Sequence, residues 1–222
     1  MSFSLNSAIT IPSLLALILA GPVNATDFVF APAPVTGEFV SVGEGSGNIK
    51  LTFLTVDSES TTITGLGGSV AARRRIGQYF GLNFAGNILV MEDDAGTFTA
   101  TSINLLAGPD IYLSENVIAF VDGSIGSTTS EIDTGFSSSS STVDITGFSY
   151  GIQLILDIND SVKLTPYFMA LEQTASTDGG IDVDISSSVI GLDVLINRIS
   201  LAAMFQSSDD TDIVMFSVGT TF

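Results

Sequence analysis

Val214-Met215-Phe216-Ser217-Val218-Gly219-Thr220-Thr221-Phe222 alternates in kind and ends on an aromatic residue. In an extended strand Val214, Phe216, Val218 and Phe222 share one face, with Thr220 the polar residue among them. Met215, Ser217, Gly219 and Thr221 occupy the other. One face suits hydrocarbon and the other a polar interior. Backbone groups in hydrocarbon cannot be left unpaired, so a strand of this kind belongs to a sheet that closes on itself.

The same dyad recurs upstream. In Gln78 to Val90, Phe80, Leu82, Phe84, Ile88 and Val90 oppose Tyr79, Gly81, Asn83, Ala85 and Asn87. In Thr146 to Leu156, Phe148, Tyr150, Ile152, Leu154 and Leu156 oppose Gly147, Ser149, Gly151 and Gln153. Fainter alternation marks Asn48 to Asp57, Thr61 to Ala72, Phe98 to Leu113, Val117 to Ser127, Val162 to Thr174, Val183 to Ile196, Ile199 to Gln206 and Asp212 to Phe222. The expected fold is therefore all-β: a closed antiparallel transmembrane β-barrel of about ten strands. Eight is the alternative, if the segment before Gly65 stays out of the sheet.

The connections alternate too. Arg73-Arg74-Arg75, Ser114-Glu115-Asn116, Ile158-Asn159-Asp160 and Asn197-Arg198 read as tight turns. Between them, 57–60, 91–96, 130–141, 176–182 and 207–211 read as longer loops rich in Ser, Gly and acid, with Ser137 to Ser141 a flexible tip. Pro166 cannot donate to a ladder, so a bulge is expected there. Mean hydropathy is +0.50 with 45% hydrophobic residues. No continuous apolar run after residue 25 reaches the roughly 20 residues of a membrane helix, whereas a membrane strand needs only about 10.

The strand, tight turn, strand units carry a resemblance, notably Gly65-Leu66-Gly67-Gly68-Ser69-Val70 through Phe84 and Phe148 through Phe168, together with Phe222. Over residues 47–222 the chain resembles the small outer-membrane β-barrel superfamily of Gram-negative bacteria, the porin-family or outer-membrane β-barrel domain. The resemblance implies insertion by the barrel assembly machinery, with Phe216, Val218, Gly219 and Phe222 as the assembly signal. It also implies outer-membrane lipid and lipopolysaccharide as surroundings, and turns facing the periplasm. The chain departs from the pattern in having no Trp and only four Tyr, of which Tyr79 and Tyr112 stand near turns as interface aromatics would.

Export to that membrane needs a leader. Ile11 to Val23 is apolar but broken by Pro12, Gly21 and Pro22, and small residues in Val23-Asn24-Ala25 suit a signal peptidase. The expected division is a signal peptide at 1–25 cut after Ala25, a periplasmic lead-in at 26–46 and the barrel at 47–222.

Charge narrows the function. The chain has 24 acidic residues against six basic ones, a net charge of -18. Nucleic acid is excluded as a partner, because binding it takes basic groups. The absence of Cys excludes disulfides and thiolate metal sites. The absence of His removes imidazole acid-base chemistry, so the expectation is no enzyme and no cofactor. Arg73, Arg74, Arg75, Lys163 and Arg198 lie by the turns. Acids gather at the other end: Glu92-Asp93-Asp94, Glu131 with Asp133, Asp178 with Asp182 and Asp184, and Asp209-Asp210 with Asp212. They read first as solvated loops, and second as oxygen donors for divalent cations bridging to lipopolysaccharide, with no dedicated metal ligand assigned.

Alternation assigns Asn83, Asn87, Asp122, Ser149, Gln153, Lys163, Asp193 and Arg198 to the lumen or its mouth. A narrow barrel is largely filled by side chains, so these charges read as a plug or, alternatively, a thin pore for small solutes and cations. The expectation is a structural or porin-like outer-membrane barrel, with surface adhesion or binding through acidic extracellular loops as the alternative.

Overall fold

The computed structural model describes residues 40–58, 61–93, 98–133, 138–177, 180–208 and 211–222. The expected leader, most of the lead-in, and Asp94, Asp178, Asp209 and Asp210 lie outside these residues. Within them the chain forms β1 (Gly45–Ser58), β2 (Thr61–Arg75), β3 (Phe80–Asp93), β4 (Phe98–Tyr112), β5 (Val117–Asp133), β6 (Ser138–Leu154), β7 (Leu156–Asn159), β8 (Val162–Thr177), β9 (Asp182–Ile196), β10 (Ile199–Ser207) and β11 (Thr211–Thr221). Every pairing is antiparallel, and β1 pairs with β2 on one side and β11 on the other. The sheet is closed, and β1 is a full member of it, which removes the eight-strand alternative.

The strands β6 and β7 form one stave of the wall. The pairings Gln153↔Tyr167 and Leu156↔Leu164 hold the same register on either side of Ile155. The ladder lapses between them because Pro166 has no N–H to donate. On the other side of the strand Ile155 N donates to Asn116 O at 2.8 Å, one step beyond Val117↔Leu154 in the β5–β6 register. The barrel thus has ten staves, and the bulge expected at Pro166 is absent; the register shift falls at Asp157/Asn159. Followed around the wall, with the β4–β5 register carried across Pro109 where no pair forms, the register runs from Gly45 through Arg74, Leu82, Pro109, Val121, Tyr150, Ala170, Ser188, Ser207 and Asp212 back to β1 at Asp57, twelve residues further along. That stagger is what tilts the strands and sets the bore.

Three expected connections are corrected. Arg73, Arg74 and Arg75 are not a turn but the end of β2, paired with Asn83, Leu82 and Gly81; the turn follows, where Ile76 N and Gly77 N both donate to Phe80 O. Ser138 to Ser141 are not a loop tip but strand, paired with Asp133 to Ser130. Asn159 pairs with Val162, so Asp160 and Ser161 alone make that turn, in place of three residues from Ile158. In each case pairing runs further than polarity suggests, because strand ends outside the hydrocarbon need no apolar face.

The seam between the first and last strands is tight. Gly47 and Phe222 exchange backbone hydrogen bonds of 3.0 and 2.9 Å. The Phe222 ring lies over Gly47, where a Cβ would stand 2.6 Å from its Cζ. An aromatic ring covering a bare glycine across a strand pair restores the packing that the missing side chain leaves out. Gly219 allows a second close approach, since a Cβ there would come within 2.0 Å of Ile49 O.

Candidate functional site: the lumen and the outer rim

Parity decides what enters the lumen. On β1, Ile49, Leu51 and Phe53 face outward, so Asn48, Lys50, Thr52, Leu54 and Val56 face inward. Alternation of this kind repeats along the other strands, with Leu66, Leu82, Ile103, Ile125, Phe148, Phe168, Ile190, Phe205 and Phe216 among the outward residues.

The turn-side half of the interior holds charge. Lys50 Nζ pairs with Asp193 Oδ2, and Arg73 Nε with Asp110 Oδ2, all four side chains sealed from solvent. Ser200 Oγ lies 2.9 Å from both Asp193 oxygens. Arg73 Nη2 donates to Asp110 Oδ1 at 3.3 Å, and Asn83 Nδ2 donates to the same oxygen at 2.8 Å. Ions taken this far from water persist only when paired and further hydrogen-bonded. At the mouth, Arg75 stacks 4.3 Å from the centre of the Tyr112 ring. It also donates to the carbonyls of Val40, Gly77 and Gln78, fastening the buried Val40 beneath the barrel.

A large apolar cluster fills the lumen, chiefly toward the rim. Leu54, Val56, Ile63, Leu89, Met91, Ala100, Phe120, Tyr167, Met169, Leu171, Val189, Met204, Ile213 and Met215 form one cluster inside the barrel. Along the β3–β6 and β8 wall beside it runs a polar ladder: Asn104 Nδ2 to Asn87 Oδ1 at 3.2 Å, Thr128 Oγ1 to Ser102 Oγ at 3.1 Å, and Gln173 Nε2 to Ser124 Oγ at 3.1 Å. Leu89, Met91 and Val189 are 0% exposed although they point at the axis of a barrel.

Of the residues expected in the lumen, Asn87, Asp122, Ser149, Gln153 and Asp193 are buried inside it, and Asn83 is half-buried there. Lys163 stands at the turn-side rim, 3.4 Å from Asp157. Arg198 is corrected: it is exposed in the β9–β10 turn beside Asn197, whose φ is 55°, and contributes its carbonyl to Thr221 N. Of the residues expected to form an assembly signal, Phe216, Val218 and Phe222 face outward and Gly219 faces inward. Sequence reasoning missed Lys50, Arg73 and Asp110 as interior residues. The signal was present, since outward Ile49, Leu51 and Ile111 force Lys50 and Asp110 inward.

On the outer surface, Asp57, Glu92, Glu131, Asp144, Glu172, Asp184 and Asp212 occupy outward strand positions just rimward of the apolar band. Four accept a hydrogen bond from a hydroxyl opposite them on the next strand: Asp57 from Thr62 at 2.9 Å, Asp184 from Thr174 at 2.9 Å, Asp212 from Ser207 at 2.7 Å, and Glu172 from Ser186. The collar is spread around the circumference, and no three acids gather as one metal site among the described residues.

No protein-family model matches the chain. No curated protein matches it either. Solved structures do. The β domain of the Bordetella autotransporter BrkA is similar with a TM-score of 0.56 at 8% identity, covering 80% of this chain and 98% of that one. The translocator domain of the autotransporter NalP from Neisseria meningitidis is similar with a TM-score of 0.52 at 9% identity, covering 95% of each. The attachment invasion locus protein Ail of Yersinia pestis has a TM-score of 0.47 at 12% identity, covering 82% of this chain and 100% of that one. At such identities the likeness is one of architecture. What the chain shares with these outer-membrane proteins is its fold, a closed antiparallel β-barrel.

Proposed function

We propose that the protein resides in the bacterial outer membrane as a closed, non-catalytic structural barrel, and that whatever it recognises it meets at its outer rim. The plug is favoured over the thin pore by the apolar cluster that fills the rim-side lumen, whose members are sealed from solvent while pointing at the axis. A water-filled channel would wet those side chains. Reconstituted in planar bilayers, the protein is expected to show no steady unitary conductance; stable large current steps would defeat this reading. Heat-modifiable gel mobility in the outer-membrane fraction tests the location separately.

Its surroundings are then lipid on the apolar band and lipopolysaccharide against the collar of acids, with divalent cations between carboxylate and phosphate. Insertion by the assembly machinery through Phe216, Val218, Gly219 and Phe222 belongs to the same reading.

Surface binding is the second reading, and a specific feature favours it. The β5–β6 ladder continues from Ser127↔Asp144 up to Asp133↔Ser138, well beyond the apolar band. Its outward positions are Thr129, Glu131, Asp133, Ser138, Ser140 and Thr142, hydroxyls and acids on an arm that β4 joins as a third strand through Phe98↔Ile132. Shortening this arm is expected to leave folding intact and abolish cell attachment to a bound partner; unchanged attachment would exclude the arm as the binding element.

A further inference from the structure

The outer wall carries a groove of about 680 Å³ on β6, β8 and β9, at the rimward margin of the apolar band. Its floor is the backbone of Gly147 and Gln173. The two strands run close there, since a Cβ on Gly147 would stand 2.2 Å from Glu172 O. The Phe148 and Tyr150 rings form one wall, their centres 6.2 Å apart and their planes 24° from parallel. Glu172 and Asp184 line the other. The register sets the outward residues in rows: Thr146, Thr174 and Asp184 nearest the rim, then Phe148, Glu172 and Ser186, then Tyr150, Ala170 and Ser188. The next row toward the turns is Ile152, Phe168 and Ile190, all exposed.

The charge in the groove has no counterpart in the chain. Ser186 donates to one oxygen of Glu172 and Thr174 to one of Asp184, which orients the carboxylates without neutralising them. All six basic side chains lie elsewhere: Lys50, Arg73 and Arg75 point into the barrel, and Arg74, Lys163 and Arg198 stand at the turn end. A second copy lying parallel in the membrane therefore brings no cation to this level. A divalent metal seeks several oxygen ligands, and the aromatic wall offers it none. An ammonium group uses both walls, since carboxylates accept its N–H bonds and aromatic faces attract its charge. Because the groove opens onto the row of Ile152, Phe168 and Ile190, hydrocarbon attached to that cation finds an apolar surface directly below.

We propose that this groove binds a lipid with an ammonium headgroup, the cation held between the Phe148 and Tyr150 rings and the carboxylates of Glu172 and Asp184, the acyl chains laid over Ile152, Phe168 and Ile190. The site rests on the reading of the outward apolar band as a membrane face.

The test inserts the whole chain into phosphatidylglycerol vesicles at high salt, which screens the more distant acids. Three trace lipids carry the same diazirine-bearing acyl chain and differ in the head: phosphatidylethanolamine, its uncharged-nitrogen N-acetyl derivative, and a neutral galactolipid. Peptide mass spectrometry after illumination reads labelling at Ile152, Phe168 and Ile190 relative to Ile103 on β4. The ethanolamine lipid is expected to label that row about tenfold more than either other lipid, as suits a cation shared by aromatic faces and carboxylates. Glu172→Gln, and separately Phe148→Leu with Tyr150→Leu, should remove most of the preference, whereas Asp57→Asn, an acid on β1 away from the groove, should leave it unchanged. Equal labelling by the three heads would overturn the site, and so would a galactolipid that labels as well as the ethanolamine lipid. A preference that survives loss of both rings, or falls equally with Asp57→Asn, would also overturn it, because the acids at large would then be attracting the head. Heat-modifiable mobility of the same samples separates the two readings: a chain that fails to insert overturns the membrane face and the site together, and an inserted barrel without preference overturns the site alone.

Discussion

Lys50 of β1 and Asp193 of β9 meet inside the barrel although β10 and β11 stand between their strands in the wall. The pair spans 143 positions of sequence and ties the seam region to the strand two staves beyond. A strut of this kind forms only once the sheet has closed.

Removing one end of the strut leaves the other charge stranded. Lys50→Met is expected to lower the free energy of unfolding by about 3–5 kcal/mol, since an unpaired buried ion is far costlier than a lost contact. Lys50→Met combined with Asp193→Leu should recover most of it. Urea unfolding in lipid vesicles, followed by gel mobility, measures both; equal stability of the single and double variants would contradict the strut.

At the seam, Gly219 permits what no other residue does. Gly219→Ala places a carbon about 2.0 Å from Ile49 O, so β1 and β11 must part at that point. The expected result is a reduced yield of heat-modifiable barrel on refolding. Ser217→Ala, on the same face but without that contact, is the control and should refold as the parent does.

Phe222 contributes two backbone bonds and a ring to the same seam. Deleting it should slow insertion into vesicles while leaving export to the periplasm unchanged. Pulse labelling with fractionation separates the two, and insertion at the parental rate would show that closure does not depend on this residue.

Within the plug, Leu89→Ala should destabilise by about 2–5 kcal/mol, the usual range for a leucine cut from a packed interior. The outward Ile88→Ala loses far less, because hydrocarbon replaces the missing atoms. Comparing the two neighbours by the same urea assay tests whether the rim-side lumen is a true core.

Strands that carry lipid on one side and polar groups on the other were legible from residues alone, as in Phe80 to Val90 and Phe148 to Leu156. The apolar filling of the lumen was not, because inward Leu54, Val56, Leu89 and Met91 make a strand apolar on both faces and blur the dyad. The run Arg73 to Arg75 misled for the opposite reason. Three adjacent cations look like a solvated turn, yet period two sends Arg73 and Arg75 inward and Arg74 outward. What decides their place is Asp110 and the Tyr112 ring, each 37 residues further along the chain from its partner, which no local pattern announces. Glu92, Glu131, Asp184 and Asp212 were read with the loops, yet they stand on outward strand positions, and the hydroxyls opposite Asp184 and Asp212 are visible only once the register is known.

Strand length differs sharply around the wall: β5 and β6 have 17 residues each, and β10 has nine. The top of the cylinder is consequently cut on a slant, high at one flank and nearly flush with the lipid at the other. Such a molecule has a front and a back, and whatever descends on that end along the barrel axis meets β5 and β6 before any other strand.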